Sequence, residues 1–416
     1  LAGLLLGVAA LGRPNLLLPA VVLAGWLWRH GRQGWKPGPA MAWLLLAGVG
    51  AGILPATFHN LKYGELVPVS ANLGQNLVAG HSDWADGISA IPVGARWDDL
   101  QLQARQEGNQ GLGPASRMFT RQAIRWMADH PGRTLQLLGK KVLLIVNARE
   151  GRNNINPRWM AEEEGVLLMA RWWPGTWLML PFAVVGLVWT RRSAAGDPAS
   201  RRMLMWFLLA AALAVLPFFV NARFRLPLLP VLAMFAGAGA LYLWEGWRGG
   251  RTRDLALPLV ALGLMFILVN VDWFGLGHDR WLARDHFNQG TAWLRDYGDR
   301  EADPARAEKS FRRAIELDGE DVDHHEQFGA FLLMEAQPLL GERIARESRG
   351  DQQGAARLFN RAMTLLGEAQ IHHQRATELF PRSTRSWFNL GIARLWLGDL
   401  QVALAEAHLA VGDREA

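Results

Sequence analysis

Cysteine is absent from this chain of 416 residues. Its absence excludes disulfides, iron–sulfur clusters, zinc–thiolate sites and cysteine nucleophiles. Long apolar runs are absent after about residue 272, where the sequence is rich in Arg, Glu, Asp, Gln and His. Before that point the hydrophobic residues, 50% of the whole chain, crowd into runs. We therefore predict at least two parts, of which the first covers residues 1–272.

The features of a signal peptide are also absent. The chain opens with Leu1 inside an apolar run, and neither a charged start nor a small-residue cleavage site precedes that run. We expect the sequence to be a fragment that lacks its natural N-terminus.

Six apolar segments are predicted to cross a membrane as helices. A bilayer core needs about 20 mostly apolar helical residues. The segments lack the alternation of a barrel strand, so helices are the structure that satisfies their backbone in lipid. They cover roughly residues 1–28, 40–58, 172–190, 203–220, 226–244 and 255–271.

Basic residues lie in three short clusters that alternate with these segments. The net charge of +6 is therefore interpreted as basic residues that contact lipid headgroups. For the same reason we predict no nucleic-acid partner. Basic connections mark the cytoplasmic side. Residues 59–171, the link 221–225 and everything after 272 then lie on the exoplasmic side of what we expect to be a bacterial inner membrane. The clusters are Arg29, Arg32 and Lys36; Arg191, Arg192, Arg201 and Arg202; and Arg248, Arg251 and Arg253.

The first apolar segment is interrupted at Arg13-Pro14. Proline removes a backbone donor and restricts the residue before it, so we predict two half-helices that meet at Arg13. An arginine at membrane depth is costly unless it is paired. Arg13 is therefore expected to bind an anion such as phosphate in a cavity, or else to extend its side chain to the membrane surface.

The exoplasmic segment is predicted to be helical in its second half. Met118, Ile124, Trp126 and Met127 follow a helical spacing, and His130-Pro131 separates them from a second apolar face. We expect amphipathic helices that lie over the membrane surface.

The polar C-terminal part contains an internal repeat. The spacing of Ala307, Phe311 and Ala314 recurs as Ala355, Phe359 and Ala362, and Ala403, Ala407 and Ala410 belong to a last unit. Together with Trp387, Leu390 and Gly391, this pattern over residues 284–412 resembles the tetratricopeptide repeat, a stack of antiparallel helix pairs. The predicted fold is all-α: a multi-span transmembrane domain followed by a tetratricopeptide-like solenoid, which offers a surface for a protein partner.

Two histidine pairs, His324-His325 and His372-His373, fall within these repeats. Neighbouring helical residues point about 100° apart, so one pair does not clasp one ion. We predict no metal site and interpret the four as packing or solvent-facing residues.

Three segments of the first part carry signatures of one family. Residues 4–15, LLLGVAALGRPN, form a glycine–leucine run that ends in a basic residue and proline. Residues 54–81 contain His59-Asn60 and the glycine-rich SANLGQNLVAGH, and residues 221–227, NARFRLP, form a basic link. Over about residues 1–245 the chain resembles the type C glycosyltransferase superfamily, in particular its branch of protein mannosyltransferases and aminoarabinose transferases of lipid A.

The resemblance implies an enzyme that moves a sugar from a polyprenyl-phosphate carrier to an exoplasmic acceptor, without a cofactor. In this superfamily an acidic residue of the first exoplasmic loop serves as general base or orients the acceptor. That loop would precede Leu1, so we name no catalytic residue and expect the chain as given not to turn over the donor.

Seven residues are candidates for binding the donor. Guanidinium groups suit the carrier phosphate, and we predict that the three arginines converge on one polar cavity. Asparagine and histidine side chains can hydrogen-bond sugar hydroxyls. Headgroup anchoring and turn geometry are the alternative roles. The candidates are Arg13, Asn60, Asn72, Asn76, His81, Arg223 and Arg225.

Two other functions fit the same pattern. The first is a non-catalytic membrane scaffold that recruits envelope proteins through its repeats. The second is an oligosaccharide ligase or polymerase, since those enzymes also join many spans to such repeats. A ligase is expected to have its large exoplasmic loop late among the spans, whereas here the loop precedes the last four.

Overall fold

A computed structural model describes residues 1–32, 39–63, 67–88, 94–148, 175–189, 197–274, 278–296 and 301–415. In these residues the regular secondary structure is helical, without a β-strand. The helices are α1 (Ala2–Gly12), α2 (Leu17–Arg32), α3 (Ala40–Lys62), α4 (Leu73–Gly80), α5 (Ala95–Gln106), α6 (Leu112–Asp129), α7 (Pro131–Val146), α8 (Thr176–Trp189), α9 (Pro198–Leu213), α10 (Ala222–Arg225), α11 (Leu229–Arg248), α12 (Thr252–Asn270), α13 (His278–Trp293), α14 (Pro304–Leu317), α15 (Val322–Ser348), α16 (Gln352–Leu379) and α17 (Thr384–Glu415).

The chain forms two compact units. Unit 1 comprises Leu1–Ile91 and Ala104–Gly275, and unit 2 comprises Pro92–Gln103 and Leu276–Ala416. The first twelve residues of unit 2 come from the predicted exoplasmic segment. Composition alone does not reveal that these twelve residues belong to unit 2, because they contact residues that are far from them in the sequence.

Within the described residues, three of the predicted spans are helices long and apolar enough to cross a membrane. They are Ala40–Lys62, Arg223–Arg248 and Thr252–Asn270, while α1 and α8 are apolar but shorter. The prediction of one helix over residues 203–220 is wrong, because α9 ends at Leu213 and a turn follows. Pro217 lies in that turn, where it removes a helical donor. Lys36, Arg191 and Arg192 of the predicted basic clusters lie outside the described residues.

The predicted break at Arg13 is confirmed, but its consequence differs from the expected single span. Gly3 packs against Leu45 and Gly48, and Gly7 packs against Val49 and Gly52, so α1 runs parallel to α3. Near the other end of the hairpin, the rings of Trp28 and Trp43 lie 5.8 Å apart, which makes α2 antiparallel to α3. The chain therefore turns back at Arg13, and residues 1–28 are two antiparallel helices.

The helices of the predicted exoplasmic segment agree with the periodicity. α6 ends at Asp129 and α7 begins at Pro131, so the predicted break at His130-Pro131 is confirmed. A glycine near the start of α4 is needed for its close packing on α6. An added Cβ at Gly74 would overlap the backbone of Ser116, which shows that α4 lies directly on α6.

Unit 2 is built from long polar helices around an aromatic and aliphatic core. Phe311, Phe328, Leu332 and Leu366 are at most 1% exposed. Aspartates start its helices, since Asp303, Asp321 and Asp351 accept hydrogen bonds from the first-turn amides of α14, α15 and α16. The repeat alanines pack as predicted: Ala307, Ala314, Ala355 and Ala362 are buried, whereas the side chains of Ala407 and Ala410 lie outside the described residues.

Two helices of unit 2 are longer than the predicted repeat requires. α15 has 27 residues and α16 has 28, whereas a tetratricopeptide unit fits two helices into about 34 residues. Residues 352–379 form the single long helix α16. His325, His372 and His373 lie between these two helices, whereas the ring of His324 packs against Phe287 of α13. His324, His325 and His373 are buried, and His372 is half-buried. They are therefore packing residues.

Candidate functional site

The turn between α1 and α2 lies beside the link that precedes α11. A guanidinium nitrogen of Arg13 donates a hydrogen bond to the backbone carbonyl of Arg223, 210 residues away in the sequence. Arg13 is half-buried and Arg223 is exposed. Within the described part of the chain, neither arginine has a carboxylate partner. Two positive charges are thus brought together in a place where an anion would be stabilised.

Arg225 has a different environment from the other two arginines. It is 3% exposed, and its Nη1 donates to the carbonyl of Leu144 at 3.0 Å and to the carbonyl of Asn147. These carbonyls belong to the last turn of α7 and the residue after it, where no intrahelical donor remains. Arg225 therefore caps α7, and the predicted convergence is found for Arg13 and Arg223 only.

The same end of α7 is tied to α12. Asn147 Nδ2 donates to the carbonyl of Val271 at 2.8 Å, and the amide of Ala148 donates to the carbonyl of Val269 at 2.8 Å. Arg225 and Asn147 thus join α7, the start of α11 and the end of α12. This junction holds the NARFR link in place beside Arg13.

A buried lysine lies one turn before this junction. Lys141 has no exposed surface, and its Nζ donates to the carbonyl of Gly80 at 3.0 Å. Nζ also lies 3.3 Å from Nε2 of His81, which is 2% exposed. Burial lowers the pKa of Lys141 to about 7, and burial together with the Lys141 charge lowers the pKa of His81 to about 4.

The turn that carries His81 is attached to the NARFR link through the residues before it. The amide of Val220 donates to the carbonyl of Gly87 at 2.8 Å, and a Cβ at Gly80 would overlap the carbonyl oxygen of Phe218. Gly87 has a φ of 80°, a conformation that favours glycine. The Lys141–His81 pair and the Arg13–Arg223 pair are therefore connected by one segment, residues 217–225.

The three candidate asparagines differ in their hydrogen bonds and in their exposure. Asn60 Nδ2, in the last turn of α3, donates to the carbonyl of Val67 at 2.8 Å. Asn72 is exposed at the start of α4, and its amide donates to Ser70 Oγ at 3.3 Å. Asn76 is half-buried within α4. Of the three, the exposed amide side chain of Asn72 is the most available to a ligand.

No known protein family, no curated protein and no solved structure matches this chain. Among the described residues the site combines two arginines without a carboxylate partner, a lysine whose pKa is lowered to about 7 and a histidine whose pKa is lowered to about 4.

Sequence reasoning assigned His81, Arg13 and Arg223 to the site but missed the role of Lys141. The signal was present, because Leu137, Lys141 and Leu144 follow a helical spacing and all three are buried on one face of α7. A lysine on an apolar stripe is expected to be buried with a lowered pKa. Here that stripe faces the turn of His81.

Proposed function

We propose that the protein is a membrane glycosyltransferase that takes a sugar from a polyprenyl-phosphate carrier and passes it to an exoplasmic acceptor. The pairing of Arg13 with Arg223 supports this proposal, since it joins two cations from distant segments next to apolar helices. A lipid carrier brings its phosphate to that place while its chain stays in the bilayer. The guanidinium groups would bind the phosphate in the ground state and stabilise the charge that develops as the sugar leaves.

The remaining parts of the site support this role by positioning. Arg225 and Asn147 hold the link that carries Arg223, and Lys141 holds the turn of His81. In this proposal residues 1–272 form the transferase domain, with the exoplasmic segment at about 59–171. Residues 284–412 form a tetratricopeptide-like domain on the exoplasmic side of a bacterial inner membrane. Membrane lipids and the carrier are its partners.

The activity is tested with the full-length protein in lipid nanodiscs. Undecaprenyl-phosphate-linked pentoses and hexoses are supplied as donors, and released undecaprenyl phosphate is measured. Arg13→Gln and Arg223→Gln are each expected to lower the initial rate at least about tenfold, because each removes a charge-assisted contact to the phosphate. Arg253→Gln, at the exposed start of α12, is the control. Equal rates in the three variants, or no donor turned over, would contradict the proposal.

The proposed orientation is tested with single cysteines, since the chain has none of its own. Gln110→Cys and Arg349→Cys occupy exposed positions of the predicted exoplasmic parts, and Arg253→Cys occupies the opposite side. In intact cells whose outer membrane has been made permeable, an impermeant maleimide should label the first two only. Labelling of Arg253→Cys alone reverses the topology.

A further inference from the structure

Helix α5 is held by unit 2 although its sequence belongs to the predicted exoplasmic segment. Asp323, at the start of α15, is 4% exposed and its Oδ1 accepts a hydrogen bond from the amide of Ala95 at 3.0 Å. Gly94 has a φ of 158°, and a Cβ there would overlap the Asp323 carboxylate. The carboxylate therefore caps the first turn of α5 from another helix, through a glycine that lets it come close.

Two arginines bind the aspartates of α5: Arg385 lies in the first turn of α17, and Arg382 lies two residues before that helix. Arg385 Nη2 lies 2.6 Å from an oxygen of Asp98, and Arg382 Nη2 lies 3.3 Å from an oxygen of Asp99. Apolar contacts add to these pairs. Ala95 packs with Val322 and Ala376, and Leu379 and Phe380 pack against this cluster.

Unit 2 prepares one of these arginines for binding. Arg385 Nη1 lies 3.3 Å from Oε1 of Glu326, which is 1% exposed. The other oxygen of Glu326 accepts hydrogen bonds from the hydroxyls of Ser383 and Ser386. The guanidinium is thus oriented by residues of α15 and of the start of α17, all of which belong to unit 2.

We propose that this surface, formed by Asp323, Arg382 and Arg385, is a binding site for an acidic helix and that α5 occupies it as an exchangeable ligand within the same chain. The site recognises two features of a helix. Asp323 accepts a hydrogen bond from a backbone amide of the first turn, and the two arginines bind two carboxylates one turn further along the helix. The two ion pairs are partly exposed, so each contributes little to the affinity by itself. Covalent attachment supplies a high effective concentration and keeps the site filled. This proposal does not rest on the proposed glycosyltransferase activity.

The test uses the full chain in nanodiscs and a fluorescein-labelled peptide of residues 94–106. In the chain with Asp98→Arg and Asp99→Arg, α5 should leave the site. The peptide should then bind at least tenfold more tightly, by fluorescence anisotropy, than it binds the unaltered chain. Raising the salt concentration should weaken this binding, because the ion pairs are screened.

The controls change each side of the contact separately. The chain that carries Asp98→Arg and Asp99→Arg is called the released chain. A peptide of residues 94–106 with the same two changes should not bind it. The further change Arg385→Gln in the chain should weaken binding of the original peptide. Equal binding of both peptides, or equally tight binding to the released and the unaltered chain, would overturn the proposal. Thermal melts of each chain variant confirm that it is folded.

Discussion

The two units bring their helices together by opposite means. In unit 1, glycines let backbones touch: Gly3 and Gly7 of α1 lie against α3, while large side chains such as Leu44 and Leu257 are 64% and 67% exposed. In unit 2, Phe311 and its neighbours fill the space between helices and charged residues cover the outside. Helices surrounded by lipid gain nothing by hiding leucine and associate by close packing, whereas helices in water are driven together by burial.

Removing a large side chain should therefore affect unit 2 most. Phe311→Ala leaves a cavity among Phe287, Phe328 and Phe331, and we expect a loss of about 3–5 kcal/mol in the unfolding free energy of unit 2. Hydrogen exchange of α14 and α15 amides at increasing urea measures it. Phe388→Ala, at a position 68% exposed, is the matched control and should change stability by less than about 0.5 kcal/mol. Equal losses would show that unit 2 has no such core.

The next effect concerns the buried charge of unit 1. The pKa of Lys141 is lowered to about 7 from the 10.5 of an exposed lysine, so the unfolded chain binds more protons between these values. Stability should rise by about 2–3 kcal/mol between pH 7 and pH 9. Thermal unfolding in detergent at both pH values measures this rise. Lys141→Met should abolish the rise in stability, whereas Lys140→Met should leave it unchanged. If the rise persists in Lys141→Met, another group causes it.

Unit 1 should lose stability when a side chain is added at a helix contact, whereas unit 2 loses stability when a side chain is removed. Gly7→Leu forces a side chain into the backbone of Val49, and we expect a loss of about 1–3 kcal/mol as α1 separates from α3. The readout is thermal stability in detergent. Gly50→Leu, on α3 but facing open space, is the control and should be tolerated. If both changes are tolerated, α1 does not pack through its glycines.

The smallest effect is the acid sensitivity of unit 2. His325 Nδ1 and His372 Nδ1 lie 2.9 Å apart, and burial lowers the pKa of His372 to about 4. In the unfolded chain, His372 is protonated near pH 6.5. The stability of unit 2 is therefore lost as the pH falls from 6.5 towards 4. We expect His372 to account for about 1–2 kcal/mol of the loss at pH 5. The slope of stability against pH, from hydrogen exchange of α16, should become shallower in His372→Asn and not in His130→Asn, an exposed position.

Local patterns predicted much of the fold. Proline at Arg13-Pro14 and at His130-Pro131 correctly marked helix ends, because a missing backbone donor acts on its own turn. Apolar spacing correctly predicted α6, α7 and the buried alanines of the repeats. The span over residues 203–220 was misjudged, since hydropathy ignores Pro217 and the hydrogen bond that draws Val220 to Gly87.

The sequence by itself determined that the chain is helical, that it contains spans long enough for a membrane, and that a polar helical part follows them. These properties depend on composition and on periods of a few residues. Only the tertiary structure decided that α1 and α2 form a hairpin, that Arg13 meets Arg223 while Arg225 caps α7, and that α5 belongs to unit 2. Each of these rests on contacts between residues about 40 to 290 positions apart, which a single sequence does not encode as a readable spacing.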